Sequence, residues 1–220
     1  MIKSIPRRRP VMKDYRIKIL SAPPTDWQGF ERAYVDEYVW GGRERAHETY
    51  GQVVYVKGDE GESGLYARLF CVEKDPISVE TEIDGAVCRD SCMEFFFGMY
   101  AAAPCDHRYL NIETNSIGVS HVGFGDGRHG RVHLPALGIE RFPITAKVGD
   151  DGWEVRIFIP EVDLKQIFGL SEIDERTVVL GNFYKCDENR GAPFGSFSPI
   201  VAPKPDFHRP ECFAPMIMTK

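Results

Sequence analysis

Three carboxylates are candidates for acid–base chemistry in this sequence: Asp90, Glu94 and Glu113. Glycoside hydrolysis uses two such groups on either side of one bond, one as the acid and the other as the nucleophile or base. Glu94 lies between Met93 and Phe95 in a very apolar segment. A carboxylate there must face a polar cleft or be paired, because burying it alone is costly. Glu94 is therefore the first candidate functional residue, with Asp90 or Glu113 as its partner if the protein is an enzyme.

A second cluster combines an aromatic ring with polar groups in a short proline-bounded segment. Phe207, His208 and Arg209 lie in the hexapeptide that begins at Pro205 and ends at Pro210. Sugar recognition uses such combinations, because the C–H face of a pyranose stacks on a ring while polar side chains bind its hydroxyls. The alternative is a proline-stiffened loop that packs its phenylalanine into the core. The sequence leaves both interpretations open.

The segment 125–130 matches the GxGxxG pattern of dinucleotide-binding loops. In those proteins a helix follows the loop, whereas this chain continues to a helix-breaking Pro135. We interpret the segment as a glycine-rich loop between strands. His129 and His133 lie four positions apart, with His121 nearby, a spacing that suits a metal site only on a helix. We expect these histidines on a solvated surface.

The cysteines are expected to be reduced. Six cysteines would allow three disulfides, but nothing in the sequence indicates export. Cys88 and Cys92 are separated by three residues, and no second cysteine or histidine pair completes a four-ligand zinc set. Cys71, Cys92 and Cys186 lie in strand-like apolar segments, where a free cysteine behaves as a small buried hydrophobe. These residues predict no cofactor.

Charge and composition argue against several classes of partner. Acidic residues number 33 and basic residues 27, which gives a net charge of −6, whereas nucleic acids and anionic membranes favour a basic surface. The longest apolar stretch, 95–103, is far short of the roughly 18 residues that cross a bilayer. Charged residues after position 12 interrupt any signal-peptide core. We therefore expect no nucleic-acid partner, no membrane partner and a cytoplasmic location.

Alternating apolar residues predict strands along nearly the whole chain. The predicted strands are 52–56, 65–71, 91–97, 109–115, 118–122, 153–157, 177–185 and 216–219. One short helix is predicted between Pro160 and Gly169, where apolar residues recur at helical spacing. This pattern indicates a single domain over residues 1–220 with an all-β fold, an antiparallel β-sandwich of the jelly-roll or immunoglobulin-like kind. Residues 1–15 are predicted to be an extended N-terminal arm.

Five segments occur in an order and spacing that indicate a family. They are 90–97, 152–155 followed by 159–160, 181–185, 197–199 and 206–213. Together they resemble the domains of carbohydrate-binding module family 9, and the likeness covers the chain from about Trp27 to its end. The resemblance implies a β-sandwich that binds sugars without cleaving them. The partner that it implies is a mono- or oligosaccharide.

The resemblance also assigns roles to individual residues. In xylanase-appended members of that family, two aromatic rings sandwich the reducing-end sugar, and charged and amide side chains bind its hydroxyls. Glu94 matches the strand glutamate that points into the cleft, and Phe207 falls at the position of the second ring. Glu113, His208 and Arg209 are then expected as contacts at the edge of the site.

This chain departs from the family at two positions. Val87 and Cys88 stand where the first ring is expected, and Glu113 replaces an arginine expected on the following strand. Calcium in such members is structural, so a structural calcium ion is the cofactor that the resemblance implies. Distant relatives of the sandwich hold haem, but no motif here selects an axial ligand. A small sugar- or glycoside-processing enzyme with a carboxylate pair is the alternative function.

Overall fold

The computed structural model describes residues 13–59, 61–102, 107–191 and 193–220. Within these ranges the regular secondary structure is mostly β-strand. The strands are β1 (Tyr15–Leu20), β2 (Ala33–Tyr34), β3 (Thr49–Val56), β4 (Gly64–Cys71), β5 (Cys92–Tyr100), β6 (Tyr109–Asn115), β7 (Ser120–Gly125), β8 (Val132–His133), β9 (Ile144–Gly149), β10 (Gly152–Pro160), β11 (Val178–Cys186), β12 (Gly195–Ser196) and β13 (Ala214–Thr219). A short helix, α1, spans Glu161–Phe168.

These strands belong to one curled sheet. Its hydrogen-bonded order is β8-β7-β6-β5-β11-β13-β1-β3-β4-β10-β9, while β12 pairs with β11 and β2 with β3. The curl brings distant strands together, because the ring of Phe183 in β11 lies directly against Gly51 of β3 although two strands separate them in the sheet. The inner face closes around the main apolar core, so the sheet forms a β-sandwich.

The prediction of a purely antiparallel sandwich is wrong at β1. This strand runs parallel to both β13 and β3, with Tyr15 opposite Met216, so the sheet is mixed. Tyr15 and Ile17 are buried and alternate with exposed basic residues, which is the pattern of a strand with one buried face. The predicted arm therefore ends before Tyr15, and its residues 1–12 lie outside the described residues. The jelly-roll or immunoglobulin-like connectivity stays a prediction.

The predicted helix is confirmed. It begins after Pro160, which ends β10, and it stops at Gly169, whose φ of 67° is readily adopted only by glycine. Leu164 and Ile167 pack from α1 into the main core. No described helix has the length and apolar character required to cross a membrane.

Strand β5 is buried on both faces, as its phenylalanines predict. Phe95 and Phe97 point into the main core, whereas Phe96 and Cys92 point outward into a second apolar group. We call this group the outer cluster; its buried members are Val87, Cys92, Phe96, Tyr109, Tyr184, Cys186, Ile200, Phe207, Cys212 and Phe213. The long segment between β12 and β13 covers this face of the sheet, and the cover is where the candidate site lies.

Replacement of Gly51 by alanine tests the curl of the sheet. A methyl group there would lie 2.3 Å from ring carbons of the fully buried Phe183, so the ring must move. We expect Gly51→Ala to lower the free energy of unfolding by about 1–3 kcal/mol, as other overpacked cores do, in urea denaturation followed by circular dichroism. Gly127→Ala is the control, because a methyl group at Gly127 meets nothing within 4 Å. Equal stability of the two variants would contradict this packing.

Candidate functional site

Four side chains form a row across neighbouring strands on the outer face of the sheet. Tyr184 of β11 lies opposite Glu94 of β5, which in turn lies opposite Glu113 of β6. Glu113 is also opposite His121 of β7. Directly opposite residues of antiparallel strands project from the same face. The row therefore brings together the predicted carboxylate pair, Glu94 and Glu113, with an imidazole at one end.

Three members of the row, Glu94, Glu113 and His121, line a cleft of about 440 Å³, whereas Tyr184 stacks on Phe207 and does not line it. The segment before β5 forms one wall, and the segment between β12 and β13 contributes to the other. The glycine-rich loop connects β7 to β8, as predicted, and places Arg128 and His129 at the rim. The residues that line the cleft are Asp84, Gly85, Ala86, Cys88, Glu94, Glu113, His121, Arg128, His129, Cys186, Glu188, Phe194, Pro205, Asp206, Phe207 and His208.

Glu94 has no cationic partner among the described residues, and it is only 2% exposed. The thiol of Cys186 donates a hydrogen bond to Oε1 of Glu94 at 3.1 Å. Burial, followed by the nearby Cys186, Glu113 and Glu188, raises the pKa of Glu94 well above its usual range. The side chain lines the cleft, as the sequence predicts. Its surroundings favour the neutral form over the ionised one. A neutral carboxyl group both donates and accepts hydrogen bonds.

Glu113 is oriented by a chain of hydrogen bonds. The amide of Asn111 donates to Oε1 of Glu113 at 2.9 Å, and Nε of Arg131 donates to Oδ1 of Asn111 at 2.6 Å. Arg131 also donates to the carbonyl oxygens of Tyr109 and Gly123, each at 2.8 Å. Burial raises the pKa of Glu113, while His121, the amide of Asn111 and Arg131 act against this effect. Arg131 therefore holds β6 to β7 and, through Asn111, orients Glu113.

His208 is a neutral contact in the cleft. Its Nδ1 lies 2.7 Å from the hydroxyl oxygen of Tyr109. Burial, followed by the charges of Arg131 and Arg128, lowers the pKa of His208 to about 3. At neutral pH the ring carries no charge, so it can recognise a ligand through hydrogen bonding and not through ionic attraction.

Phe207 lines the cleft but is only 7% exposed. It stacks on Tyr184, with ring centroids 4.3 Å apart and an angle of 12° between the planes. A protein ring therefore covers one face of Phe207, and its predicted role as a stacking platform stays a prediction. The half-buried Phe194, which sequence reasoning did not select, also lines the cleft and contacts Phe207 edge-on, at 5.9 Å between centroids.

Arg209 lies beside the cleft and not in it. It lines a neighbouring depression together with His107, His208 and Glu211. Its guanidinium forms ion pairs with Glu211 at 2.7 Å and with Asp206 at 3.9 Å. His208 is common to the two depressions, so Arg209 is one residue away from the wall of the cleft.

Two aspartates stabilise the segment before β5, which forms one wall of the cleft. Asp90 accepts hydrogen bonds from the backbone N–H groups of Val79 and Glu80, both at 3.0 Å. Asp84, in a left-handed conformation with a φ of 61°, accepts one from the N–H of Val122 at 2.9 Å. Asp90 does not line the cleft, so the structure does not support it as the second acid of an enzyme.

The hairpin between β6 and β7 is confirmed, but its turn is longer than predicted. A turn at Asn115 and Ser116 would place Gly118 opposite Glu113, whereas the observed turn, in which the N–H of Asn115 donates to the carbonyl of Val119, places His121 there. Loop residues such as Phe194 and Glu188 carry no comparable signal, because only the folded chain brings their segments to the cleft.

Calcium does not fit the metal-ligating side chains that this structure groups together. In the part of the chain described, one set of at least three such side chains places its ligand atoms within 4.8 Å of one another, namely Cys92, Glu94 and Cys186. Calcium takes six to eight oxygen ligands, and two of these three ligand atoms are sulfur. We therefore assign no calcium site.

The sequence profile of carbohydrate-binding family 9 matches residues 46–218. This chain belongs to that family. The resemblance that the motifs indicated is thus confirmed. None of the curated proteins matches the sequence significantly.

Two solved structures have the same fold. A Bacteroides uniformis protein described as a candidate carbohydrate-binding protein is 22% identical and has a TM-score of 0.74, with 95% of this chain and 100% of that chain covered. A family 9 carbohydrate-binding module from Caldicellulosiruptor kristjanssonii, solved in complex with glucose, is 13% identical and has a TM-score of 0.59, with 93% and 95% covered. At these identities the likeness establishes the fold.

The raised pKa of Glu94 has a measurable effect on stability. The native protein binds a proton that the unfolded chain releases above the usual value of 4.5, so the contribution of this group is complete at low pH and is lost as the pH rises toward the native pKa. Each pKa unit of difference corresponds to about 1.4 kcal/mol. As the pH rises from about 4.5 toward the native pKa of Glu94, we expect the free energy of unfolding to fall less for Glu94→Gln than for the wild type. Urea unfolding at a series of pH values in metal-free buffer measures this difference.

The exposed Glu140 provides the control for that comparison. Glu140→Gln removes the same charge from the surface, so its stability should follow the pH dependence of the wild type. Superimposable profiles for Glu94→Gln and the wild type would show that the pKa of Glu94 is the same in the folded and unfolded states.

Proposed function

We propose that this protein binds a mono- or oligosaccharide, without cleaving it, in the cleft over β5, β6 and β7. Carbohydrate binding is the function of the family to which the chain belongs; the location of the site is our assignment. The observation that carries it is the row of Glu94, Glu113 and His121 on neighbouring strands, all three lining one cleft of about 440 Å³. We also propose a cytoplasmic location, which the sequence predicts.

The polar groups of the cleft suit the hydroxyls of a sugar. Each hydroxyl is both a donor and an acceptor. In the neutral form that its raised pKa favours, the carboxyl of Glu94 can meet either requirement, and Glu113, oriented by the amide of Asn111, supplies an acceptor. The neutral His208 adds a further polar contact without a charge. Binding of this kind is usually weak, because each hydroxyl exchanges a bond to water for a bond to protein.

The apolar part of the cleft suits the C–H face of a sugar ring. Phe194 and Phe207 both line the cleft and contact each other edge-on. Val87 is buried in the outer cluster, and Cys88 lines the cleft without an aromatic ring. We infer that Phe194 and Phe207 supply adjoining apolar surface in place of two rings that enclose the ligand from opposite sides.

The size of the cleft favours a small ligand. Its volume of about 440 Å³ is near the lower end of the range for small-molecule sites, about 300–1,000 Å³. The glucose bound to the structurally similar module supports a monosaccharide unit as the minimal ligand. A longer chain would extend past His208 toward the depression that contains Arg209.

Glu113→Gln tests the floor of the cleft. Glutamine keeps the size of the side chain and an oxygen for the amide of Asn111, but it removes the charge. Hydrogen bonds to charged groups contribute about 1.5–3 kcal/mol, so we expect the dissociation constant to rise about tenfold or more. Isothermal calorimetry with glucose and a panel of other mono- and oligosaccharides measures this change, and Glu140→Gln is expected to bind as the wild type does.

Two outcomes would contradict this proposal. Absence of binding heat from every sugar with the wild type would overturn it. Release of the aglycone from an aryl glycoside, abolished by Glu113→Gln, would instead make the protein an enzyme. The structure allows this enzymatic alternative, because Glu94 and Glu113 project side by side from the same face, as an acid–base pair requires.

Arg209→Gln distinguishes a monosaccharide site from one that accepts a longer chain. Because Arg209 lines only the neighbouring depression, we expect monosaccharide affinity to be unchanged. Oligosaccharide affinity should fall about threefold to tenfold, which corresponds to one hydrogen bond. Arg156→Gln, at an exposed position on β10, is the control. Equal affinities of wild type and Arg209→Gln for every oligosaccharide that binds would exclude Arg209 from the site.

A further inference from the structure

Two thiols and one carboxyl group meet next to the cleft, which Cys186 and Glu94 line and Cys92 does not. Cys92 of β5 lies directly opposite Cys186 of β11, and Glu94 follows two positions later on the same face of β5. One ligand atom from each side chain lies within 4.8 Å of the other two. The sulfur of Cys186 is 3.1 Å from Oε1 of Glu94. All three side chains are buried.

This donor set has the chemistry of a zinc-type site. Zinc binds thiolate sulfur at about 2.3 Å and carboxylate oxygen at about 2.0–2.2 Å in tetrahedral geometry. Ligand atoms of such a tetrahedron lie within about 4 Å of one another, which differs little from the separations seen here. Soft thiolate ligands favour zinc and similar ions over calcium or magnesium.

The sequence shows only part of this arrangement. The spacing of Cys88 and Cys92 by itself lacks further ligands, and Cys186 is 94 positions away from Cys92 in the chain. The antiparallel pairing of β5 with β11 supplies the missing thiol from a strand that is buried almost along its whole length. Ligands on paired strands are held more rigidly than ligands on loops.

We propose that Cys92, Cys186 and Glu94 form a binding site for a thiophilic divalent cation of the zinc type. Glu94 and Cys186 line the cleft, so an ion has a path of entry. Cys88 also lines the cleft, so either its thiol or a water molecule can supply the fourth ligand of the tetrahedron. This site goes beyond sugar binding but shares Glu94 with the proposed sugar site. With the ion bound, Glu94 is a carboxylate and can only accept hydrogen bonds from a sugar.

The charges around the three ligands also favour a cation. Glu113 lies directly opposite Glu94, and Glu188 lines the same cleft, while no described residue forms an ion pair with Glu94. Lys185, which precedes Cys186 in β11, projects from the opposite face of the strand. Its Nζ lies 3.3 Å from a carboxylate oxygen of Glu73 and donates a hydrogen bond to the carbonyl oxygen of Cys186 at 3.0 Å. A bound divalent ion would supply the positive charge that these groups lack.

Cobalt is the spectroscopic probe for this site. The full chain, kept reduced and stripped of metal by a chelator, is titrated with Co²⁺ and then with Zn²⁺. We expect one Co²⁺ per chain, with the visible absorption of tetrahedral cobalt and a thiolate-to-cobalt charge-transfer band, both removed by Zn²⁺. Cys92→Ser and Cys186→Ser should lose the charge-transfer intensity and bind at least about tenfold more weakly. Cys212→Ser, which alters a buried thiol elsewhere in the outer cluster, should behave as the wild type.

X-ray absorption at the zinc edge gives the same test without any substitution. The unsubstituted protein with one equivalent of Zn²⁺ should show two sulfur ligands and at least one oxygen ligand. Zinc surrounded only by oxygen and nitrogen would overturn the proposal, as would a purely octahedral cobalt spectrum. Unchanged cobalt spectra in both cysteine variants would overturn it as well. Because no sugar is present, failure here is distinct from failure of the sugar-binding proposal.

Discussion

Burial of β5 on both faces is the constraint from which the site follows. The inner face, with Phe95 and Phe97, is covered when the sheet curls upon itself. The outer face carries Phe96 and has no second sheet to cover it, so the segment between β12 and β13 must lie across it and pack Phe207 and Phe213 against the strands. This cover does not extend over Glu94, and the uncovered part is the cleft. The apolar packing thus creates the polar site.

The two acids of the cleft differ in how the protein holds them. Glu113 is connected through Asn111 to the guanidinium of Arg131, so a positive charge is two hydrogen bonds away. Glu94 receives its one described side-chain hydrogen bond from the thiol of Cys186 and lies among groups that raise its pKa. The same fold therefore places an oriented acceptor next to a group that readily keeps its proton. A ligand rich in hydroxyls, which donate and accept equally, matches such a pair.

Local patterns in the sequence predicted most of the strands, the helix and the family, because alternation and proline–glycine boundaries are local signals. They did not predict β1, which begins at Tyr15, the last residue of the predicted arm, although Tyr15 and Ile17 alternate with basic residues as in a strand. They also could not pair Glu94 with Glu113 or Cys92 with Cys186, since long connections separate these residues and only the sheet order sets their register. Even within the predicted hairpin of β6 and β7, the length of the turn and not the alternation decides that His121 lies opposite Glu113.

The position of β1 has a consequence for how the chain is made. One edge of β1 pairs with β3, which follows soon after it, but the other edge pairs with β13, so that Tyr15 meets Met216 roughly 200 positions later. Until the ribosome has released that last strand, β1 presents an unsatisfied row of backbone groups to other nascent chains. Closure of the sheet is therefore a late step that depends on a distant pairing, and such pairings slow folding.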